Sequence, residues 1–189
     1  MVTIAVVGHL ARSDGNFTLN DMPGGAGRMD ILCRCVNASL FLSHDMRRDI
    51  DCYLILLGPP CPPKTVLIKG SEVRYLNPDE RSAGSLVKKA LDLSCGDEFR
   101  ESTKGVYVRK GGLDRLLGEH PFSVLDEAGS DIREAEVLPK AVLLSDHQNF
   151  SEEEMAQIKN YPAYSVGPRS LHADHAITIL LNEVDRRTA

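Results

Sequence analysis

Short apolar runs alternate along this chain with longer stretches of helical spacing. Thr3–Val7 is largely β-branched and ends at Gly8, which predicts a buried strand. Residues 9–27 are polar and rich in glycine and proline, and predict a long loop. Loops of that length inside compact domains are commonly functional. From Arg28 to Ser43 apolar residues recur at Met29, Leu32, Val36 and Leu40, with Ile31 and Cys35 beside them, which is the spacing of one helix face. Cys52–Leu57 reads as a second strand closed by Gly58-Pro59-Pro60. Lys64–Ile68 reads as a third, with a candidate partner strand at Glu72–Leu76.

The same alternation continues. Asn77 as N-cap, Pro78 at the first helical position and acidic Glu80 at the third predict a helix to about Leu93. Gly105–Val108 is a short strand, Leu113–Leu117 a short helix, and Phe122–Leu125 and Ala141–Leu144 two more strands. Ser151 and Glu154 form a capping box, Phe150 is placed to staple onto Met155, and that helix stops near Tyr161-Pro162. Ala163–Val166 is a last strand running into Gly167-Pro168. Ser170 then opens a long helix whose Ile177, Ile179, Leu180, Leu181 and Val184 face the core. The β-α order predicts a single domain over residues 1–189, with a mostly parallel sheet and helices on both faces.

Composition narrows this picture. There is no Trp, and five Phe with five Tyr leave little aromatic surface for stacking bases. The net charge is −5, but residues 1–125 hold 16 Lys/Arg against 15 Asp/Glu, while residues 126–189 hold 6 against 12. A nucleic-acid surface would therefore be local and drawn mainly from the first two-thirds. Five cysteines, in no CxxC pair, suggest reduced thiols in a cytoplasmic protein. The apolar opening Val2–Val7 is too short for a signal segment, and no run approaches a membrane span.

Several residue groups carry possible chemistry. A strand entering a glycine turn before a helix is where α/β proteins commonly hold anionic or nucleotide-like ligands, and here Arg169, Ser170, His172, Asp174 and His175 crowd that turn. Gly24-Gly25-Ala26-Gly27 matches neither the dinucleotide nor the P-loop fingerprint, and reads as a flexible loop or a ligand cradle. His172 and His175 share a helix face, with Asp146-His147 elsewhere. A metal there needs an assumed third ligand, so none is expected; bonding at a helix start and a cap turn is the plainer role of Asp174 and Asp146. Arg28 and Asp30 flank the start of a helix, where an acid favours the helix dipole whatever its function, yet the pair can also act as base and anion holder. Arg47-Arg48 and Arg109-Lys110 are basic pairs, read as solvated surface or phosphate contacts.

Taken together, the segments Gly27–His44, Gly105–Gly112, Leu144–His147 and Gly167–His175 resemble the archaeal tRNA (pseudouridine-54) N1-methyltransferase family, collinearly and over essentially the whole chain. That family belongs to the SPOUT class of S-adenosylmethionine-dependent RNA methyltransferases. The resemblance implies a C-terminal trefoil knot, a homodimer, the T-loop of tRNA as substrate and no metal. It also implies that the cofactor is held by backbone at Leu144, Ser145, Val166, Gly167 and Leu171 to Ala176. Two positions depart from the family pattern: Ala176 stands where Cys is frequent, and Asn149 where Gly is frequent.

The resemblance also gives Arg28 and Asp30 roles. Pseudouridine is a C-glycoside, so its N1 carries a proton that must leave as N1 attacks a methyl group. A carboxylate near N1 and a cation near the developing charge assist that step. Asp30 is then the base or the acceptor that orients N1, and Arg28 the charge stabiliser or a phosphate clamp. Other readings are a SPOUT enzyme for another tRNA or rRNA nucleotide, a non-catalytic RNA-binding dimer, and, remotely, a metal hydrolase built on His147, His172 and His175.

Overall fold

A computed structural model describes residues 1–188. Its centre is β1 (Val2–Gly8), buried at every position, with Val2, Ile4 and Val6 on one face and Ala5 and Val7 on the other. A strand buried on both faces needs a continuous apolar run rather than alternation, and that is what the sequence supplies. Around it run α1 (Met29–Leu40), β2 (Ile50–Leu56), β3 (Lys64–Lys69), α2 (Glu80–Leu91), β4 (Arg100–Thr103) and β5 (Val106–Lys110). Then follow α3 (Leu113–Leu117), β6 (Ser123–Asp131), β7 (Ala141–Ser145), α4 (Glu152–Ile158), β8 (Ala163–Ser165) and α5 (Ala173–Thr188).

All eight strands join one sheet in the order β4-β5-β3-β2-β1-β7-β6-β8. The pairs β1–β2, β1–β7, β6–β7 and β6–β8 are parallel; β2–β3, β3–β5 and β4–β5 are antiparallel. The sheet is thus mostly parallel: β2, β1, β7, β6 and β8 run together, and the antiparallel part is β3, β5 and β4 from the middle of the chain. Helices α1, α2 and α5 pack on one face through Leu32, Val36, Leu86, Ile177 and Leu180. Helices α3 and α4 cover the other through Leu113, Leu116 and Ile158.

Local chemistry explains where the elements differ from expectation. Glu72–Leu76 is not a strand: Glu72 and Val73 turn back onto Lys69 O, and Tyr75 takes φ 61. β3 pairs instead with β2 and β5, and β5 in turn carries β4 at the sheet edge, whose Arg100-Glu101-Ser102-Thr103 has no apolar signal. Helix α2 is capped by Asp79, whose side chain accepts the Ser82 N–H at 2.8 Å, and not by Asn77. The last helix begins at Ala173, three residues after Ser170. The Ser151–Glu154 capping box forms as expected, each side chain accepting the other's backbone N–H.

Candidate functional site

The loops leaving the carboxyl ends of β7 and β8, together with the start of α5, enclose a cavity of about 640 Å³ beside β6. That volume suits a small-molecule ligand. Leu144 and Ser145 come from the end of β7, Val166 and Gly167 from the turn after β8, and Leu171 and Ala176 from the entry and first turn of α5; all six line it. Ser165 shapes the turn: its Oγ donates to Gly167 O at 2.6 Å and accepts the Gly167 N–H at 3.2 Å. Beyond its chain neighbours, Gly167 has no heavy atom within 4 Å of where a Cβ would stand, so its backbone is open to a ligand.

One wall is acidic because β6 bulges. Tyr164 of β8 pairs with both Leu125 and Ser130, so Asp126–Gly129 loop out of the ladder between them. Bulges re-aim side chains, and here Asp126 and Glu127 line the cavity. Gly129 permits it, since a Cβ there would lie 2.6 Å from Tyr164 N.

Beneath the β7 loop lies a clamp. His9, just past the end of β1, donates its backbone N–H to Asp146 Oδ2 at 3.0 Å. Its ring places Nδ1 at 2.8 Å from Asp146 Oδ1 and Nε2 at 2.9 Å from Glu154 Oε2. The hydrogen bond to Asp146 raises the imidazole above its ordinary 6.5 against the opposing pull of burial, and Glu154 adds to the rise. Burial pushes the Asp146 carboxyl up, yet His9 and the Gln148 N–H hold it below its ordinary 3.8. With a carboxylate on each nitrogen, His9 is an imidazolium tying β1, the β7 loop and α4 together.

A second ionic cluster sits where the long loop becomes α1. Gly27 and Arg28 both take φ 64, and a Cβ on Gly27 would stand 1.8 Å from Leu10 O. This left-handed pair turns the chain so that Arg28, as N-cap, folds back on the helix it precedes. Its Nε and Nη2 donate to Asp30 Oδ1 and Oδ2 at 3.0 and 3.1 Å, and Arg34 Nη1 donates to Oδ2 at 3.2 Å. Burial alone would raise the Asp30 carboxyl, but Arg28 first and then Arg34 hold it below its ordinary 3.8. The Asp30 side chain is 5% exposed and that of Arg28 38%. Asp146, in the loop after β7, adds a little to the charge that favours the Arg28 guanidinium.

Arg28 and Asp30 thus meet each other without lining the cavity. The His172 and His175 rings meet edge to face, 5.6 Å apart. Among the described residues no group of three His, Cys, Asp or Glu side chains is arranged to hold a metal ion. Asp146 does bond at a turn, to the Gln148 N–H, but Asp174 Oδ1 is buried and accepts no hydrogen bond from any described residue. Arg109 is not solvated surface: it is 3% exposed, forked onto Glu119 at 2.7 Å and stacked over Phe99. Arg47 is likewise engaged, by Asp185. Sequence reading missed His9, Asp126, Glu127 and Arg34. The available signals were a polar residue directly after a strand's glycine, an acid pair ahead of Gly129, and a cation one helical turn after Asp30.

Comparison with known proteins adds the family. The model described as "Putative SAM-dependent RNA methyltransferase" matches residues 1–189. This chain belongs to that family. Among family relatives, the tRNA (pseudouridine(54)-N(1))-methyltransferase of Methanocorpusculum labreanum is 60% identical over 99% of this chain and 98% of its own. The protein of the same name from Methanospirillum hungatei is 50% identical over 99% and 97%, and that of Halobacterium salinarum 39% over 98% and 96%. The fold matches Archaeoglobus fulgidus Nep1 bound to S-adenosylhomocysteine, with a TM-score of 0.64 at 15% identity over 100% of this chain and 99% of that one.

Proposed function

We propose that this chain is a methyltransferase that uses S-adenosylmethionine to methylate N1 of pseudouridine-54 in the T-loop of tRNA. The observation that carries the reading is the 60% identity, over 99% of the chain, with a relative named for that reaction. The cavity fits the cofactor's chemistry. It has an open glycine backbone at Gly167 and an apolar wall at Leu144 and Ala176, and Asp126 and Glu127 can accept from hydroxyl groups or offset a cationic sulfonium. Ala176 offers only a methyl group, which extends that apolar wall.

When bound, S-adenosylmethionine supplies the methyl group as an electrophile. The residues of the chain manage the proton and the charge. Asp30 accepts the N1–H of the target base and orients it; held low by two arginines, the carboxylate is a weak base while both stay in place. Arg28, more exposed and anchored outside the helix, is free to turn towards the base or a phosphate. Its departure leaves burial to raise Asp30, which can then take the N1 proton. Arg28 meanwhile meets the negative charge growing on the uracil ring.

We extend the proposal to a cytoplasmic homodimer and a C-terminal knot. Five free cysteines support a reducing compartment, and no described helix is long and apolar enough to cross a membrane. Exposed Leu171 and Ile179, at 41% and 40%, support a partner surface beside the cavity. The chain passes from β7 over β6 to β8, then changes faces between α4 and α5, which supports a threaded path.

Labelled S-adenosylmethionine and T-loop stem-loops carrying uridine or pseudouridine test the reading. Methylation of the pseudouridine RNA alone is expected; equal labelling of uridine overturns it. Asp30→Asn should lower turnover by about 100-fold while leaving S-adenosylhomocysteine affinity nearly unchanged.

A further inference from the structure

We propose that Arg34 is a positioning residue for the methyl transfer, one guanidinium that fixes the Asp30 carboxylate and ties it to Asp174 at the start of α5, the helix that walls the cavity. The inference rests on the role given above to Asp30.

Arg34 lies one helical turn after Asp30, so both project from the same face of α1. Its Nη1 reaches Asp30 Oδ2 at 3.2 Å and Glu80 Oε1, at the start of α2, at 3.5 Å. Its Nε stands 3.9 Å from Asp174 Oδ2. Asp174 is the second residue of α5, between Ala173 and Ala176, both of which line the cavity. Its other oxygen, Oδ1, is buried without a hydrogen bond from any described residue, so Asp174 relies on Arg34 and on the His175 ring, whose Nε2 stands 3.8 Å from Oδ2. A planar fork can serve carboxylates on several sides at once, which a point charge cannot.

The geometry divides labour between two arginines. Arg28 sits on the N-cap, outside the helix, and bonds Asp30 alone; Arg34 is within the helix, similarly exposed, and stands among three carboxylates. When Arg28 turns to the RNA, Arg34 is the cation left on Asp30. It keeps the carboxylate oriented and ionised until the proton arrives, and it keeps that carboxylate in register with the wall of the donor pocket. The groups around Asp30 are Arg28 from the loop and Arg34 with the Cys33 thiol from α1; Glu80 of α2 and Asp174 of α5 act on it through Arg34, and Asp146 through Arg28.

The test is the pH profile of methylation of pseudouridine T-loop RNA. Removing Arg34 leaves Asp30 buried with one cation fewer, so protonation inactivates it at higher pH. In Arg34→Gln we expect kcat at pH 7 to fall about tenfold and the acidic limb of kcat/KM to move up by about one pH unit. A limb in its wild-type position overturns the proposal, because a merely structural loss lowers activity without moving it. Arg34→Lys keeps the charge and loses the fork: the limb should return while kcat stays about threefold low. Wild-type kcat in that variant overturns the bridge to Asp174, and it decides the matter if Arg34→Gln does not fold. Asp30→Asn separates the two readings. Full turnover there removes Asp30 from the reaction, whereas a dead Asp30→Asn with an unmoved limb in Arg34→Gln removes only Arg34.

Discussion

His9 Nδ1 and Asp146 Oδ1 lie 2.8 Å apart although 137 residues separate them in the chain. The contact joins the end of the central strand to the loop that carries Ser145 and Asn149 into the cavity wall. The cavity is lined by the loops after β7 and β8, and this ion pair holds the first of them from behind.

His9→Gln should therefore show a pH-dependent loss of stability. The folded imidazole titrates above its ordinary 6.5, so its contribution is complete below that pH and is lost as pH rises through the folded value. At pH 6 the variant should be about 2 kcal/mol less stable than wild type, with a smaller gap at pH 9. Thermal or urea melts at the two values check this; a gap that widens at pH 9 would contradict the imidazolium.

Gly27→Ala should be costly without touching any proposed ligand contact. The residue has φ 64, and a Cβ would meet Leu10 O at 1.8 Å. Strain and clash together should cost at least about 2 kcal/mol and displace the Arg28 fork. A melt reads the first effect, and loss of turnover in excess of the loss of folded protein reads the second.

Gly167→Val is the converse. Its backbone is not left-handed, and nothing beyond its chain neighbours lies within 4 Å of the new Cβ. Stability should stay within about 0.5 kcal/mol of wild type. S-Adenosylhomocysteine binding, measured by calorimetry, should weaken by about tenfold or more, as branched carbons enter the donor cavity.

Thiol labelling should sort the cysteines by burial. Cys33, Cys35 and Cys52 are buried, and burial pushes their thiols up, that of Cys52 to about 12. Cys61 is exposed. Iodoacetamide at pH 8, followed by mass spectrometry, should modify Cys61 first, Cys95 more slowly, and the three buried thiols only after unfolding.

The parts legible in the sequence were those with a local cause. The apolar run of β1, the helical spacing of α1 and the Ser151–Glu154 box each form where their residues dictate. What escaped reading depends on distant partners. β4 is a strand only because β5 offers it an edge, and Asp126 and Glu127 face the cavity only because Tyr164 makes β6 bulge. His9 stood as one polar residue in a loop until Asp146 and Glu154 arrived from the last third of the chain. Arg28 and Asp30 were visible as a pair, but not the cation one turn later that completes them.

The seat of α5 on α1 reaches beyond packing, to synthesis. The cavity draws its wall from residues 125–176, yet the helix closing it rests on the first helix of the chain and its floor loop is clamped by His9. No half of this molecule can form the cavity. On the ribosome, the cavity must form all at once, when α5 has emerged far enough to pack back on α1.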